Sequence, residues 1–131
     1  MTRIVLIGAP IDSGQKRAGC LMGPAAYRVA GIAHEISAVG HAVEDWGDLA
    51  LPELRDVTCP NPAVHNLAET VGWAEILMDR VDDALSENGF PIIMGGDHSL
   101  ALGSAAGAAA FAHRQGRPLF LLWLDAHSDF H

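Results

Sequence analysis

Residues 90–99 read FPIIMGGDHS. Phe90 to Met94 form an unbroken apolar run that ends in two glycines, and Asp97, His98 and Ser99 follow as a polar turn. A run apolar on both faces suits a strand buried in a parallel sheet. Glycines lack a Cβ, so the backbone there can turn sharply and approach a ligand closely. Asp97 or Ser99 can cap the next helix, and the small residues from Ser99 to Gln115 predict a helix that packs closely on a sheet. The stretch therefore reads as strand, turn, helix, which places the chain in the α/β class.

The same grammar repeats on both sides. Arg3 to Gly8 (RIVLIG) is a short apolar run closed by Gly8 and Pro10, again a buried strand. A Gly-bearing polar loop follows. Pro24 then opens a helix whose apolar side is Ala26, Val29, Ala30, Ala33, Ile36 and Ala38, with Gly40 as its stop. Ala42 to Gly47 predicts a second strand. Asn61 and Pro62 resemble an N-cap and first helical position. After them Val64, Leu67, Ala68, Val71, Ala74, Leu77, Val81, Ala84 and Leu85 recur at helical spacing until Asn88-Gly89. Pro118 to Leu124 (PLFLLWL) predicts a fourth strand, apolar on both faces. Strands separated by crossover helices imply parallel pairing. Residues 1–131 are thus expected to form one α/β domain, a three-layer α/β/α arrangement around about four parallel strands. An unpaired edge on such a sheet is an aggregation hazard or calls for a partner.

Composition narrows the function. The chain has 131 residues, half of them apolar, and a formal net charge of −8. That balance argues against nucleic acid or an anionic membrane surface as partner, since both need basic patches. Cys20 and Cys59 are far apart and form no CxxC, so they read as free thiols in a reducing cytoplasm. The opening MTRIVLIGAP is too short for a signal core, and ALGSAAGAAAFA falls well short of the roughly 20 residues a membrane span needs.

Two polar clusters leave strand ends at the same edge: GGDHS after the third predicted strand and DAHSDFH after the fourth. Ligands in open α/β sheets collect outside the carboxyl ends of the strands. Asp125, His127 and Asp129, spaced two apart, project to one side of an extended chain, and His98 can reach in from the neighbouring loop. Two Asp and two His with no Cys suit hard or borderline ions, Mn²⁺ among them. A pair of ions can lower the pKa of a water held between them. The plain alternatives are an ordinary capped turn at GGDHS and a solvated acidic loop at DAHSD. His34, His41, His65 and His113 read as surface residues, Trp46, Trp73 and Trp123 as core, and Asp82 and Asp83 as the wet face of the long helix. Asp12 and Arg17, in the first loop, could border a cleft.

GGDHS followed by DAHSD resembles the ureohydrolase family, the metal-dependent enzymes that release urea or a related product from guanidino compounds. LIGAPIDSGQKRAGCLMGPAAYRVAG is similar to that family's N-terminal segment, IIMGGDHSL to its first metal motif and LLWLDAHSDFH to its second. The GQ-and-Gly loop leading to GP looks more like arginases than agmatinases. The resemblance implies two Mn²⁺ ions, with His98 and Asp129 on the first, His127 on the second and Asp125 bridging. It implies attack of hydroxide on the guanidinium carbon of L-arginine, giving ornithine and urea, in a cytoplasmic trimer or hexamer. The family's later Asp-x-Asp motif, its proton-shuttle His and its guanidinium-binding Glu are not among these residues. His131 stands where arginases often carry an Asn that contacts the substrate's α-carboxylate. This chain alone is therefore expected to be inactive. Agmatinase or another guanidino-compound hydrolase is the same-class alternative, and a non-catalytic α/β fragment the other.

Overall fold

The computed structural model of the chain describes residues 1–15 and 18–127. Three strands, β1 (Arg3–Ala9), β2 (Ala42–Asp48) and β3 (Phe90–Gly95), form one parallel sheet in the order β2-β1-β3. The helices are α1 (Gly23–Val29), α2 (Ile32–Ala38), α3 (Leu67–Ser86) and α4 (Leu100–Arg114), with a 3₁₀ turn at Cys20–Met22 before α1. Ile4 pairs with Val43 on one side and Phe90 on the other, and Leu6 with Asp45 and Ile92.

β1 is central and buried on both faces, as its unbroken apolar run requires. Its odd positions Val5, Ile7 and Ala9 face Trp73, Leu77, Val81 and Ala84 of α3. Its even positions Ile4 and Leu6 join Met94 and pack against Ile32 and Ile36 of α2. These two cores make three layers, helix, sheet and helix. Leu6, Ile7 and Leu77 are fully buried. Each such side chain is worth about 1.5–3 kcal/mol on burial, whereas an exposed ion pair is worth about 0–1 kcal/mol. The periodic stripes, not the surface charges, hold the layers together.

Three expectations are corrected. The helix predicted from Pro24 to Gly40 is two short ones. Gly31 takes a left-handed backbone (φ 86°) between them, which turns Ile32 and Ile36 onto the sheet and leaves Val29 91% exposed. The long helix begins at Leu67, not at Pro62. Asn61 does not cap it, because its side chain accepts the Ala63 N–H in a local turn and Asn66 (φ 52°) interrupts the helical path. Finally, residues 118–124 are not a strand. A two-faced apolar run needs strand neighbours and helices above and below it. Among the described residues no strand pairs with this segment, and Leu119 to Leu124 are 45–89% exposed.

The sheet edge at β2 carries Glu44, Asp45 and Asp48, a charged border that discourages edge pairing. Arg28 of α1 clamps it, its Nε donating to Asp45 Oδ2 at 2.7 Å and its Nη1 to Asp48 Oδ1 at 2.5 Å. The Arg28 bonds hold the Asp45 carboxyl below the usual carboxylate range. A carboxyl whose folded pKa is depressed adds stability that is complete above its unfolded value, about 3.9, and is lost as pH falls through the folded value. Arg28→Met is therefore expected to lose within about 1 kcal/mol at neutral pH. The loss should shrink towards pH 2–3, where Asp45 is protonated in both proteins. Urea midpoints measured between pH 7 and pH 2.5 check this, and a difference that grows on acidification would contradict it.

Candidate metal centre

β1 and β3 lie side by side, so the loops after Ala9 and Gly95 emerge together at the carboxyl edge of the sheet. The β3 turn demands glycine. Gly96 has φ 57°, and a Cβ there would lie 2.5 Å from the Ala9 carbonyl oxygen and 2.6 Å from Ile11 N. A Cβ on Gly23 would overlap the Gly95 carbonyl oxygen, so the head of α1 closes on the same turn. The peptide between Gly95 and Gly96 is cis.

Asp97 turns inward. It is 7% exposed, and its carboxylate accepts the Gly14 N–H at 2.7 Å, the Ser99 N–H at 2.8 Å and the Ser99 hydroxyl at 2.5 Å. Ser99 is the N-cap of α4 but makes no side-chain cap bond, its hydroxyl being committed to Asp97. His98 between them turns outward. Its Nδ1 lies 3.2 Å from Asp125 Oδ2, and its ring stacks on Trp123 at 5.1 Å between centroids. Trp123 is thus not a core residue as expected; it is 46% exposed and forms a wall beside His98. Together with Ala101, Leu102 and Ala105 they line an apolar hollow of about 350 Å³.

Asp125 receives a second imidazole on its other oxygen. His127 places Nδ1 3.2 Å from Asp125 Oδ1, and its backbone N–H donates to the same oxygen at 2.8 Å. That backbone bond, then the His127 ring and the charges of both imidazoles, hold the Asp125 carboxyl below its ordinary value. The structure therefore brings His98, Asp125 and His127 together. Asp129 and His131, and Arg17 of the first loop, lie outside the described residues. Among the described residues no three donors converge on a single point. His98 and His127 address different oxygens of one carboxylate, and N and O donors of this kind suit hard-to-borderline ions.

The sequence reading missed the ties behind this turn. Asn66 and Thr70, from the start of α3, hold Ser13 of the first loop. No periodicity marks an isolated Asn that takes a left-handed backbone. Ser13, Gly14, Gln15, His65 and Asn66 surround a second hollow of about 500 Å³, so His65 borders a recess at the same edge. Asp82, expected on a solvated face, pairs with Arg114 of α4 at 2.5 Å. Among the described residues no helix is long and apolar enough to cross a membrane.

The model for the arginase family matches residues 2–131. The chain is 45% identical over 126 residues to an arginase of Brucella melitensis, covering 96% of this chain and 41% of that protein. It is 40% identical over 126 residues to an arginase of Agrobacterium fabrum, covering 96% and 39%. It thus spans about two fifths of the length of these relatives. Among solved structures it is similar to an arginase of Bacillus subtilis, with a TM-score of 0.72 at 38% identity over 83% of this chain and 36% of that one. An Entamoeba histolytica arginase, solved in complex with L-ornithine, gives 0.69 at 25% identity over 85% and 38%.

Proposed function

The chain belongs to the arginase family, and on that premise we propose that it is the N-terminal part of a ureohydrolase domain whose substrate is L-arginine. The observation that carries the proposal is the Asp125 carboxylate, with His98 Nδ1 on one oxygen and His127 Nδ1 on the other at the carboxyl edge of the sheet. In this reading His98, Asp125 and His127, with Asp129, hold a pair of Mn²⁺ ions. Such a pair supplies Lewis acidity and makes water a nucleophile near neutral pH. The His127 bonds hold the Asp125 carboxyl below its ordinary range, which favours its role as an acceptor.

The balanced reaction is water plus L-arginine to L-ornithine plus urea. Water oxygen adds to the guanidinium carbon, the bond from that carbon to the chain nitrogen breaks, and the departing amine takes a proton. The Entamoeba relative's ornithine complex supports the product side of this reading, and the arginase names of the relatives support the substrate. His131 is assigned a contact to the substrate's α-carboxylate, and trimeric or hexameric assembly in the cytoplasm belongs to the same proposal.

A polypeptide of the relatives' full length that begins with this chain is expected to release urea from L-arginine in preference to agmatine, with added Mn²⁺ required. Parallel assays of the two substrates test this, and a higher kcat/KM on agmatine would reassign the enzyme to the agmatinases. The 131 residues alone are expected to release none, because the later Asp-x-Asp ligands are not among them.

A further inference from the structure

Hydrogen bonds that the proposed chemistry does not use connect the head of α3 to the turn bearing His98. Asn66 immediately precedes α3, and its side-chain amide donates to the Ser13 carbonyl at 2.9 Å. Thr70, one helical turn on, donates its hydroxyl to Ser13 Oγ at 3.1 Å. Ser13 is only 5% exposed. The next N–H, of Gly14, donates to Asp97 Oδ2, and the Asp97 N–H returns to the Ile11 carbonyl at 2.8 Å. The other Asp97 oxygen holds Ser99. Segment 11–14 thereby grips the residue before His98 and, through it, the residue after.

We propose that Asn66 is a positioning residue for His98, acting through Ser13, Gly14 and Asp97; the inference rests on the reading of His98 as a metal ligand. The His98 side chain is half exposed, with Trp123 and Asp125 beside its ring, and the backbone that carries it fixes where the ring starts from. Segment 11–14 sets that backbone, and Asn66 sets the segment. Asn suits the task on two counts. It tolerates the left-handed backbone at this position, and its amide supplies the donor that Ser13 needs. Asp would match the backbone but present a carboxylate to a carbonyl oxygen, and Gly would match the backbone with no donor at all.

Asn66→Gly therefore removes the bond while keeping the fold of the turn. Asp97→Asn breaks the grip nearer to His98, since one of its carboxylate oxygens becomes a donor facing N–H groups. Residues behind a metal ligand typically change metal affinity by about 10–100-fold. In the relative-length polypeptide, D97N is expected to raise the Mn²⁺ dissociation constant within that range, and N66G by about tenfold, its lower end. Titration followed by the free Mn²⁺ electron paramagnetic resonance signal reads this, beside the melting temperature of the metal-free protein. Saturating Mn²⁺ should restore most of the N66G turnover. If N66G lowers the metal-free melting temperature and leaves Mn²⁺ affinity unchanged, the role is structural only and the proposal is overturned.

Should the unaltered polypeptide bind no Mn²⁺, the ureohydrolase reading fails by itself, and the coupling is read in the 131-residue chain. There N66G should speed proton exchange at the Gly14 and Ser99 amides about fivefold to tenfold, the worth of about one hydrogen bond, with the Ala108 amide unchanged. Equal exchange in the two proteins would overturn the coupling too.

Discussion

Asp125→Ala, made in a polypeptide of the relatives' full length, is expected to lower urea formation from L-arginine by about a thousandfold or more. The magnitude follows from what a metal pair contributes. Lewis-acid stabilisation amounts to several kcal/mol of the barrier, and each ~1.4 kcal/mol is tenfold in rate. Among the described residues Asp125 is the side chain that touches both His98 and His127, so its loss removes the group shared by both halves of the proposed site. Asp125→Asn keeps the shape and deletes the charge. It should retain partial metal binding and fall between the parent and the alanine variant. Mn²⁺ stoichiometry measured beside kcat distinguishes lost metal from lost fold. Activity within tenfold of the parent, with two ions still bound per chain, would remove Asp125 from the site.

Gly107→Val should strongly damage the packing of α4 on α3, lowering the melting temperature by roughly 5–15 °C. α3 and α4 cross where Gly103 and Gly107 are both buried. A Cβ on Gly107 would lie 2.5 Å from the Met78 carbonyl oxygen and 2.9 Å from Val81 Cβ, and one on Gly103 would lie 2.6 Å from the Ala74 carbonyl oxygen. Two effects oppose each other here. Replacing a mid-helix glycine stabilises the helix by up to about 1 kcal/mol. Overpacking costs about 1–3 kcal/mol and sometimes more. The obstacle is backbone carbonyl rather than the tip of a flexible side chain, so α4 itself must move, and the overpacking term wins. Val81 is part of the core beneath β1, so the displacement reaches the sheet. Gly107→Ala should show the same sign with a smaller drop. An unchanged or higher melting temperature for either variant would mean that the two helices pack less tightly than this.

Much of this was readable from residue order. The RIVLIG and FPIIM runs are strands because both faces are apolar, and each gained one residue at its end. The 20-residue α3 buries Trp73, Leu77, Val81 and Ala84, spaced as a helix stripe. What misled was apolar character without a partner. PLFLLWL has the same two-faced pattern as β1, and strand pattern alone does not say whether neighbours exist to pair with it. Val29 fitted a continuous helical stripe, yet the left-handed Gly31 redirects the chain, and a glycine's backbone sign cannot be read from its neighbours.

At the site, residue types and two-residue spacing were enough to single out His98, Asp125 and His127, since N and O donors crowded at strand exits have a chemistry of their own. Within GGDHS the sequence offered Asp97 as a helix cap and His98 as the ligand, but not the bond that turns Asp97 inward. Only the close approach of the first loop, bonded through Gly14 to Asp97, turns one inward as a tie and leaves the other facing Asp125. The sequence by itself determined the α/β class, the α3 stripe and the candidate donors, because each is a local pattern of side-chain chemistry. Tertiary structure alone decided which donor faces which and that Asn66, distant in sequence, stands behind His98, because hydrogen-bond partners are chosen by proximity in space.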